Sequence, residues 1–457
     1  MPYREESDSL GIVRVPEEAY YGAQTRRAMV NFPISDLKLP PVFIRSLALV
    51  KKYAALENNR LGLIEDEISD AIYRAADEVS KGELLDHFPV DVFQTGSGTS
   101  TNMNMNEVIA TRANEILSGK KQTKGRVHPN DHVNRCQSSN DVIPTAIQVA
   151  AASLLRNRLM PALKVLHRTL AIKTEAFAHV HKIGRTHLQD AVIMTLGDEF
   201  SGYARQIELG MERLTPVEER LCRLPLGGTA VGTGLNAPEK FAPAVIAQIA
   251  EATGIGFYET DNHFESQAAC DVAVEASGML RTIAVSMMKI ANDIRWLASG
   301  PRCGLGEINL PALQPGSSIM PGKVNPVICE AAIQVSAQVI GNDSTITTGG
   351  QGGYFELNLM LPLIAYNLIQ SIELLAGSAE NLADNCVAGI TANEEQCRAN
   401  IEKSLAIVTN LVPHIGYDRA AKIAQKAYGS DRTVEEVALA QNIMPEAELK
   451  KILYSHE

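Results

Sequence analysis

Residues 270–298 read CDVAVEASGMLRTIAVSMMKIANDIRWLA, and the spacing of their apolar side chains decides the fold. Leu280, Ile283, Met287, Ile290, Ile294 and Leu297 recur at alternating intervals of three and four, which puts them on one stripe of a helix and reads as a coiled-coil-like seam. The same periodicity, less cleanly, covers residues 142–173, 193–214, 327–340 and 359–382, with a bend expected at Pro161. Five long helices in the middle of a chain imply a bundle. The expected class is therefore mainly α, a long-helix bundle core flanked by smaller terminal regions.

Outward from the bundle, residues 1–137 mix short extended pieces such as GIVRVP with helices and are expected to form an N-terminal, mostly helical domain. Residues 138–390 form the bundle domain. Residues 391–457 carry alternating charge, as in ANEEQCRANIEKSL, and predict a small C-terminal helical domain. Its stretch His414-Ile415-Gly416-Tyr417-Asp418 reads as a structural turn.

Bulk composition agrees and excludes several functions. A chain of 457 residues is too long for one ordinary core. With 45% apolar and only 5% aromatic residues, it favours packed helices over sheets. The formal net charge of -11 argues against nucleic acid or an anionic membrane as a partner. Apolar runs are broken by charge before bilayer length, and the start MPYREESDSLG has no apolar core of a secretion signal. The 7 cysteines are scattered, never paired as C-x-x-C. They read as small buried thiols in a reducing compartment, so a cytoplasmic location is expected, with no cysteine-held metal or cluster.

The chemistry concentrates in four polar segments, each expected to lead directly into a helix, where N-termini favour anions. These are Thr95-Gly96-Ser97-Gly98-Thr99 before NEVIATRANEIL, then Ser138-Ser139-Asn140-Asp141, Thr186-His187-Leu188-Gln189-Asp190, and GSSIMPGKVNP at 316–326. The first two also read as ordinary caps. The fourth carries more than a cap needs. Asn325-Pro326 suffices to start a helix, yet Gly316 and Gly322 loosen the backbone, Ser317 and Ser318 add hydroxyls, and Lys323 brings a cation to the positive end of a helix dipole. That unfavourable charge placement points to anion binding. A nucleotide phosphate loop is excluded, because five residues separate Gly316 from Gly322 where that motif has four, and Val324 stands in place of Ser or Thr.

Bundle geometry adds an expectation about assembly. A helix of about thirty residues is ~45 Å long, so in an up-and-down bundle Ser139 and His187 begin their helices at opposite ends. If all four segments serve one site, at least two chains contribute to it.

With these residues on the page, the chain resembles the fumarase/aspartase superfamily, whose signature G-S-S-x-M-P-x-K-x-N-P is matched at every specified position by residues 316–326. The resemblance spans nearly the whole chain, through YYGAQT at 20–25, QTGSGT at 94–99, HPND at 128–131, QSSND at 137–141, GRTHLQDA at 184–191, GGTAVGTGLN at 227–236 and KIANDIRWLASGPR at 289–302. It implies a homotetramer with a twenty-helix core and active sites shared between subunits. It also implies a small dicarboxylate substrate, with no metal and no cofactor. In this resemblance Ser317 removes the C3 proton of malate, while Lys323 and Asn325 hold a carboxylate. Ser97, Thr99, Ser138, Ser139, Asn140 and Thr186 line the rest, and His187, steered by Glu330, handles the water. Residues 304–325, with glycines at 304, 306, 316 and 322, are expected to close as a lid.

Within the superfamily, Ser97, Ser139, Gly228 and the pair Cys329-Glu330 resemble the class II fumarase branch, whose reaction is the reversible hydration of fumarate to L-malate through an aci-carboxylate carbanion. Ser100, DAVIMTLG and GLGEINLPALQ lean towards aspartate ammonia-lyase. His128, Pro129, Asn130 and Asp131 resemble a second dicarboxylate site and equally read as a Pro-Asn turn. His263 and His456 read as structural or surface groups. A catalytically silent structural relative and a helical binding scaffold are further readings. Intact Ser317, Lys323, Asn325, His187 and Glu330 speak against the first, and the Lys-Gly loop has no use in the second.

Overall fold

The structure is a computed structural model that describes residues 2–455, so His456 lies outside the described residues. The fold is mainly helical, as the periodicity predicts. The seam at 270–298 is a continuous helix, Asp271–Leu297, and all six seam residues are buried. Each such side chain contributes roughly 1.5–3 kcal/mol on burial, so the stripe outweighs the weak propensity of its β-branched members. Asp271 complements the N-terminal dipole. The helix stops before Gly300, whose φ of 124° and following Pro301 are incompatible with another turn.

The other bundle segments are Leu196–Leu221, Val327–Gly350 and Leu361–Asn385, together with the stretch expected at 142–173. That stretch is two helices, Ser139–Leu154 and Met160–Ala176, separated by a wider π turn at Leu155–Leu159. The turn falls just before Pro161, which has no N–H to continue the α ladder.

The chain divides into two compact units. The first comprises the chain up to Pro161, Gly210–Ala284 and Ser336–Ala376. There the Pro41–Arg60, Asp66–Lys81 and Thr99–Ser118 helices pack through Phe43, Leu47, Ile72, Val79, Met105 and Ile109. At its start, Tyr3–Asp8 pairs antiparallel with Gly11–Pro16, so GIVRVP is extended as expected. The second unit comprises Ala162–Leu209, Val285–Val335 and the chain from Gly377 onward. Its C-terminal helices bury Ile401, Ile407, Leu411, Ile423, Val437, Leu449 and Leu453 around Ile183. Gly416, with φ 79°, turns the chain into the Tyr417–Ser430 helix, in keeping with a structural turn.

Two expectations are corrected. Thr186-His187-Leu188-Gln189-Asp190 does not lead directly into a helix. His181–Thr186 and Gln189–Thr195 form an antiparallel hairpin, and the helix begins only at Leu196. The run AVIMT is β-branched enough to extend, which places the helix start later than the periodicity suggested. Six cysteines are buried, but Cys303 is exposed. Among the described residues no helix is long and apolar enough to cross a membrane.

Candidate active site

Four predicted site residues in the first unit, Thr99, Ser138, Ser139 and Asn140, form one hydrogen-bonded region. Ser138 caps the Ser139–Leu154 helix in a reciprocal box: its hydroxyl accepts from the Asn140 N–H at 3.2 Å, and Asp141 Oδ1 accepts from the Ser138 N–H at 2.9 Å. The Ser138 hydroxyl is thus already engaged locally. Asp141 Oδ2 also accepts from the N–H groups of Gly227 and Thr229, at 3.1 and 3.0 Å, and Asn140 Nδ2 donates to the Ala230 carbonyl at 2.7 Å. These bonds pin the GGTA loop to the helix start. Burial raises the Asp141 carboxyl above its ordinary value, against the pull of those backbone donors and of Lys51.

Beside this cap, Thr99 Oγ1 and Ser139 Oγ lie 2.8 Å apart, and Asn102 Nδ2 donates to Ser139 Oγ at 3.0 Å. Gly98, with φ 74°, starts the Thr99–Ser118 helix. Buried Ser97 sits between Gly98 and Gly96, and at Gly96 a Cβ would lie 1.9 Å from the Leu359 carbonyl oxygen. That close approach accounts for the glycine.

Thr95, Thr99 and Ser100 share a cavity of about 700 Å³ with His128, Pro129 and Asn130, and Arg27 and Lys124 also line it. Residues Pro129–Val133 form a single wide turn. His128 caps it, with Nδ1 accepting from the N–H groups of Asn130 and Asp131 at 3.3 and 3.1 Å. Both readings of this segment thus stay in play, since the turn exists and three of its residues open on a cavity.

The second unit carries the remaining predicted residues. Thr186 pairs with Gln189, leaving His187 and Leu188 as a two-residue turn with φ 57° and 60°. Two positive φ values define the type I′ hairpin, which normally takes Asn-Gly. A histidine and a leucine there cost of order 1–3 kcal/mol each. His187 stands exposed at the tip.

The hairpin is anchored by Glu307, which has no exposed surface. It accepts from both terminal nitrogens of Arg185 at 3.0 and 2.7 Å and from Asn400 at 3.1 Å, and it lies 3.4 Å from Lys182 Nζ. Burial alone would raise its carboxyl, but the Arg185 bonds and the Lys182 and Arg185 charges outweigh this and hold it below the usual carboxylate range. Its backbone ties the stem of the signature loop to Leu297 and Asn393, at 2.8 and 2.9 Å. One carboxylate therefore clamps hairpin, loop stem and C-terminal cap.

The signature loop is closed at its neck. Gly316 N–H donates to the Lys323 carbonyl at 2.7 Å, and Asn325 Nδ2 donates to the Gly316 carbonyl at 2.6 Å. Asn325 thus latches the loop. Inside it, half-buried Ser317 accepts on Oγ from the N–H groups of Ile319 and Met320, at 3.2 and 3.1 Å. Two fixed donors on one hydroxyl oxygen favour negative charge there. Lys323 is exposed, and among the described residues its ammonium has no hydrogen-bond partner. Glu330 lies in the first turn of the Val327–Gly350 helix, and within the chain it makes no bond to His187.

Sequence reasoning missed Glu307, Asn134 and Lys51. Only Lys51 left a signal: it follows Leu47 by four residues and precedes Ala54 by three, on the stripe the Pro41–Arg60 helix buries.

Residues 11–341 match the family model described as lyase, and residues 407–456 match that of the fumarase C C-terminus. The chain is 54% identical over 437 residues to the class II fumarate hydratase of Nitrosomonas europaea, covering 96% of this chain and 95% of that protein. Its fold superimposes with a TM-score of 0.95 on the recombinant class II fumarase of Schistosoma mansoni, at 41% identity over 99% of this chain and 98% of that one. The native fumarate lyase:delta crystallin of Brucella melitensis gives 0.89 at 47% identity, over 96% and 100%. On sequence and fold together, the chain belongs to the class II fumarate hydratase family of lyases.

Proposed function

We propose that this protein catalyses the reversible hydration of fumarate to L-malate, by anti addition and elimination through an aci-carboxylate carbanion. Family membership supports the reaction, and the observation that carries the mechanism is the pair of N–H donors on Ser317 Oγ. A C–H beside a carboxylate is a very weak acid, and removing its proton adds charge to a dianion. Ser317 takes this proton as its alkoxide, whose charge the Ile319 and Met320 N–H groups stabilise. Lys323 and Asn325 receive the carboxylate that gains charge, and one such donor is worth about 3 kcal/mol. His187, steered by Glu330, gives or accepts the proton of the departing or attacking water. Ser97, Thr99, Ser138, Ser139, Asn140 and Thr186 orient the substrate.

Since no hydrogen bond or ion pair joins His187 and Glu330 within the one chain described, their pairing is assigned to neighbouring subunits of a homotetramer with shared sites. His128, Pro129, Asn130 and Asp131 are proposed to form a second dicarboxylate site, which the cavity that His128, Pro129 and Asn130 share with Thr99 supports. The functional layout follows the divisions 1–137, 138–390 and 391–457. A cytoplasmic location is proposed on the scattered thiols.

The deciding measurement is ultraviolet absorbance of fumarate formed from malate, beside the same protein given aspartate. Turnover of malate is expected to dominate, and faster turnover of aspartate would overturn the assignment in favour of ammonia-lyase chemistry. Mixing an inactive Ser139 variant with an inactive His187 variant should restore activity on subunit exchange. Exchanged hybrids that stay inactive would refute shared sites.

A further inference from the structure

Lys51 sits in the middle of the Pro41–Arg60 helix with no exposed surface at all. Its ammonium donates to a neutral amide, Asn134 Oδ1, at 2.9 Å. A lysine buried this way is costly, and burial pushes its pKa down to about 7 against the opposing influence of Asp141. What it does for the molecule follows from the direction of the hydrogen bonds around it.

Asn134 Oδ1 also accepts from Asn102 Nδ2 and Asn106 Nδ2, at 3.2 and 3.1 Å, while Asn134 Nδ2 donates to the Gln137 carbonyl at 3.1 Å. A protonated lysine can only donate and a carbonyl only accept, so the Asn134 amide is held in one orientation from both ends. Asn102 must then turn its NH₂ towards Asn134, and the same NH₂ donates to Ser139 Oγ. Ser139 is left with its own proton, and so is Thr99 beside it. One of these two O–H groups serves the bond between them. The other is surplus and must point elsewhere. This polarity is kept even though Asn102 Oδ1 and Asn106 Oδ1 are buried without a hydrogen-bond partner among the described residues. Were Asn102 reversed, its carbonyl oxygen would absorb the surplus proton.

We propose that Lys51 is a positioning residue that sets the direction of this buried chain, so that the Thr99–Ser139 pair offers a hydroxyl proton to a substrate carboxylate. The inference rests on the dicarboxylate reading of the site.

Its test compares Lys51→Met, which removes the donor, with Lys51→Gln, which keeps one without the charge. Losing a hydrogen bond to a charged group should raise KM for both malate and fumarate about tenfold in K51M, with kcat changed by less than about threefold. K51Q should restore KM to within about threefold of the wild type on the same reasoning. An unchanged KM in a K51M protein of wild-type melting temperature would overturn the proposal, as would a K51Q as impaired as K51M. If K51M does not fold, Asn102→Asp poses the same question, because its isosteric, acceptor-only side chain takes the Ser139 proton. N102D should then show the raised KM, and a wild-type KM there refutes the chain. A wild-type protein that turns over neither acid would instead sink the functional reading on which this inference stands.

Discussion

The hydroxyls of Thr99, Ser138 and Ser139 are buried or half-buried and each is hydrogen-bonded to a neighbour, whereas His187, Ser318 and Lys323 stand exposed in their own unit. In the first unit, orientation is set when the chain folds, by a capping box, a buried lysine and three asparagines. In the second, a strained turn and a glycine-hinged loop present groups that have few partners of their own. The contrast assigns different tasks. The first region suits recognition by fixed donors, which lose no freedom when ligand arrives, and the second suits chemistry, where a base and a cation must approach reacting atoms. In the proposed assembly, the exposed groups acquire their surroundings from neighbouring subunits.

The sharpest way to break this contrast is Ser317→Ala. If Ser317 is the base, kcat should fall by at least about 10³-fold, within the usual reach of acid–base catalysis, while melting temperature and oligomeric state hold. A fully active variant would remove Ser317 from that role. Next in size is Glu307→Gln, which leaves Arg185 and Lys182 without their shared counter-charge. Breaking a buried ion pair costs about 3–5 kcal/mol, so calorimetry should show a clear drop in melting temperature and kcat should fall as the hairpin and loop stem loosen. The pH dependence has a definite sign. The Glu307 carboxyl is held below its ordinary value in the folded protein, so its contribution is complete above the unfolded pKa of about 4.3 and is lost as pH falls towards the folded one. E307Q should accordingly lose less additional stability than the wild type on acidification through that window, and equal losses would disqualify the clamp. The smallest effect is expected for Leu188→Gly. Relief of one positive-φ side chain, offset by the roughly 0.5–1 kcal/mol of chain entropy that glycine loses on folding, should stabilise by about 1 kcal/mol net, seen as a slightly raised melting temperature. A lowered one would mean the Leu188 side chain holds the turn.

Much of this was legible in the residues themselves, where one local rule sufficed. The seam at 270–298 announced its helix because each of its six apolar positions is in fact buried. QSSND announced a capped helix because the box closes within four residues. The hairpin at His181–Thr195 stayed hidden because His187-Leu188 has none of the Asn-Gly chemistry that marks a type I′ turn, and because AVIMT resembles the onset of the helix that follows it. The Glu307 clamp and the Lys51 chain were illegible for a different reason. Their partners come from distant parts of the sequence, and nothing in GEI or LVKK names them. Cys303 illustrates the limit of composition, since a cysteine's preference for the interior yields to a loop that stays outside.

The Leu359 carbonyl occupies the space a Cβ would need at Gly96, and the Leu361 N–H donates back to the Gly96 carbonyl at 3.0 Å. Two strands of backbone in van der Waals contact, with no side chain to act as a spacer, have almost no room to slide. A displacement of the 359–361 turn is therefore handed on to Ser97 and Thr99 nearly undiminished, and the register of the Leu361–Asn385 helix becomes a mechanical input to the polar end of the Thr99–Ser118 helix.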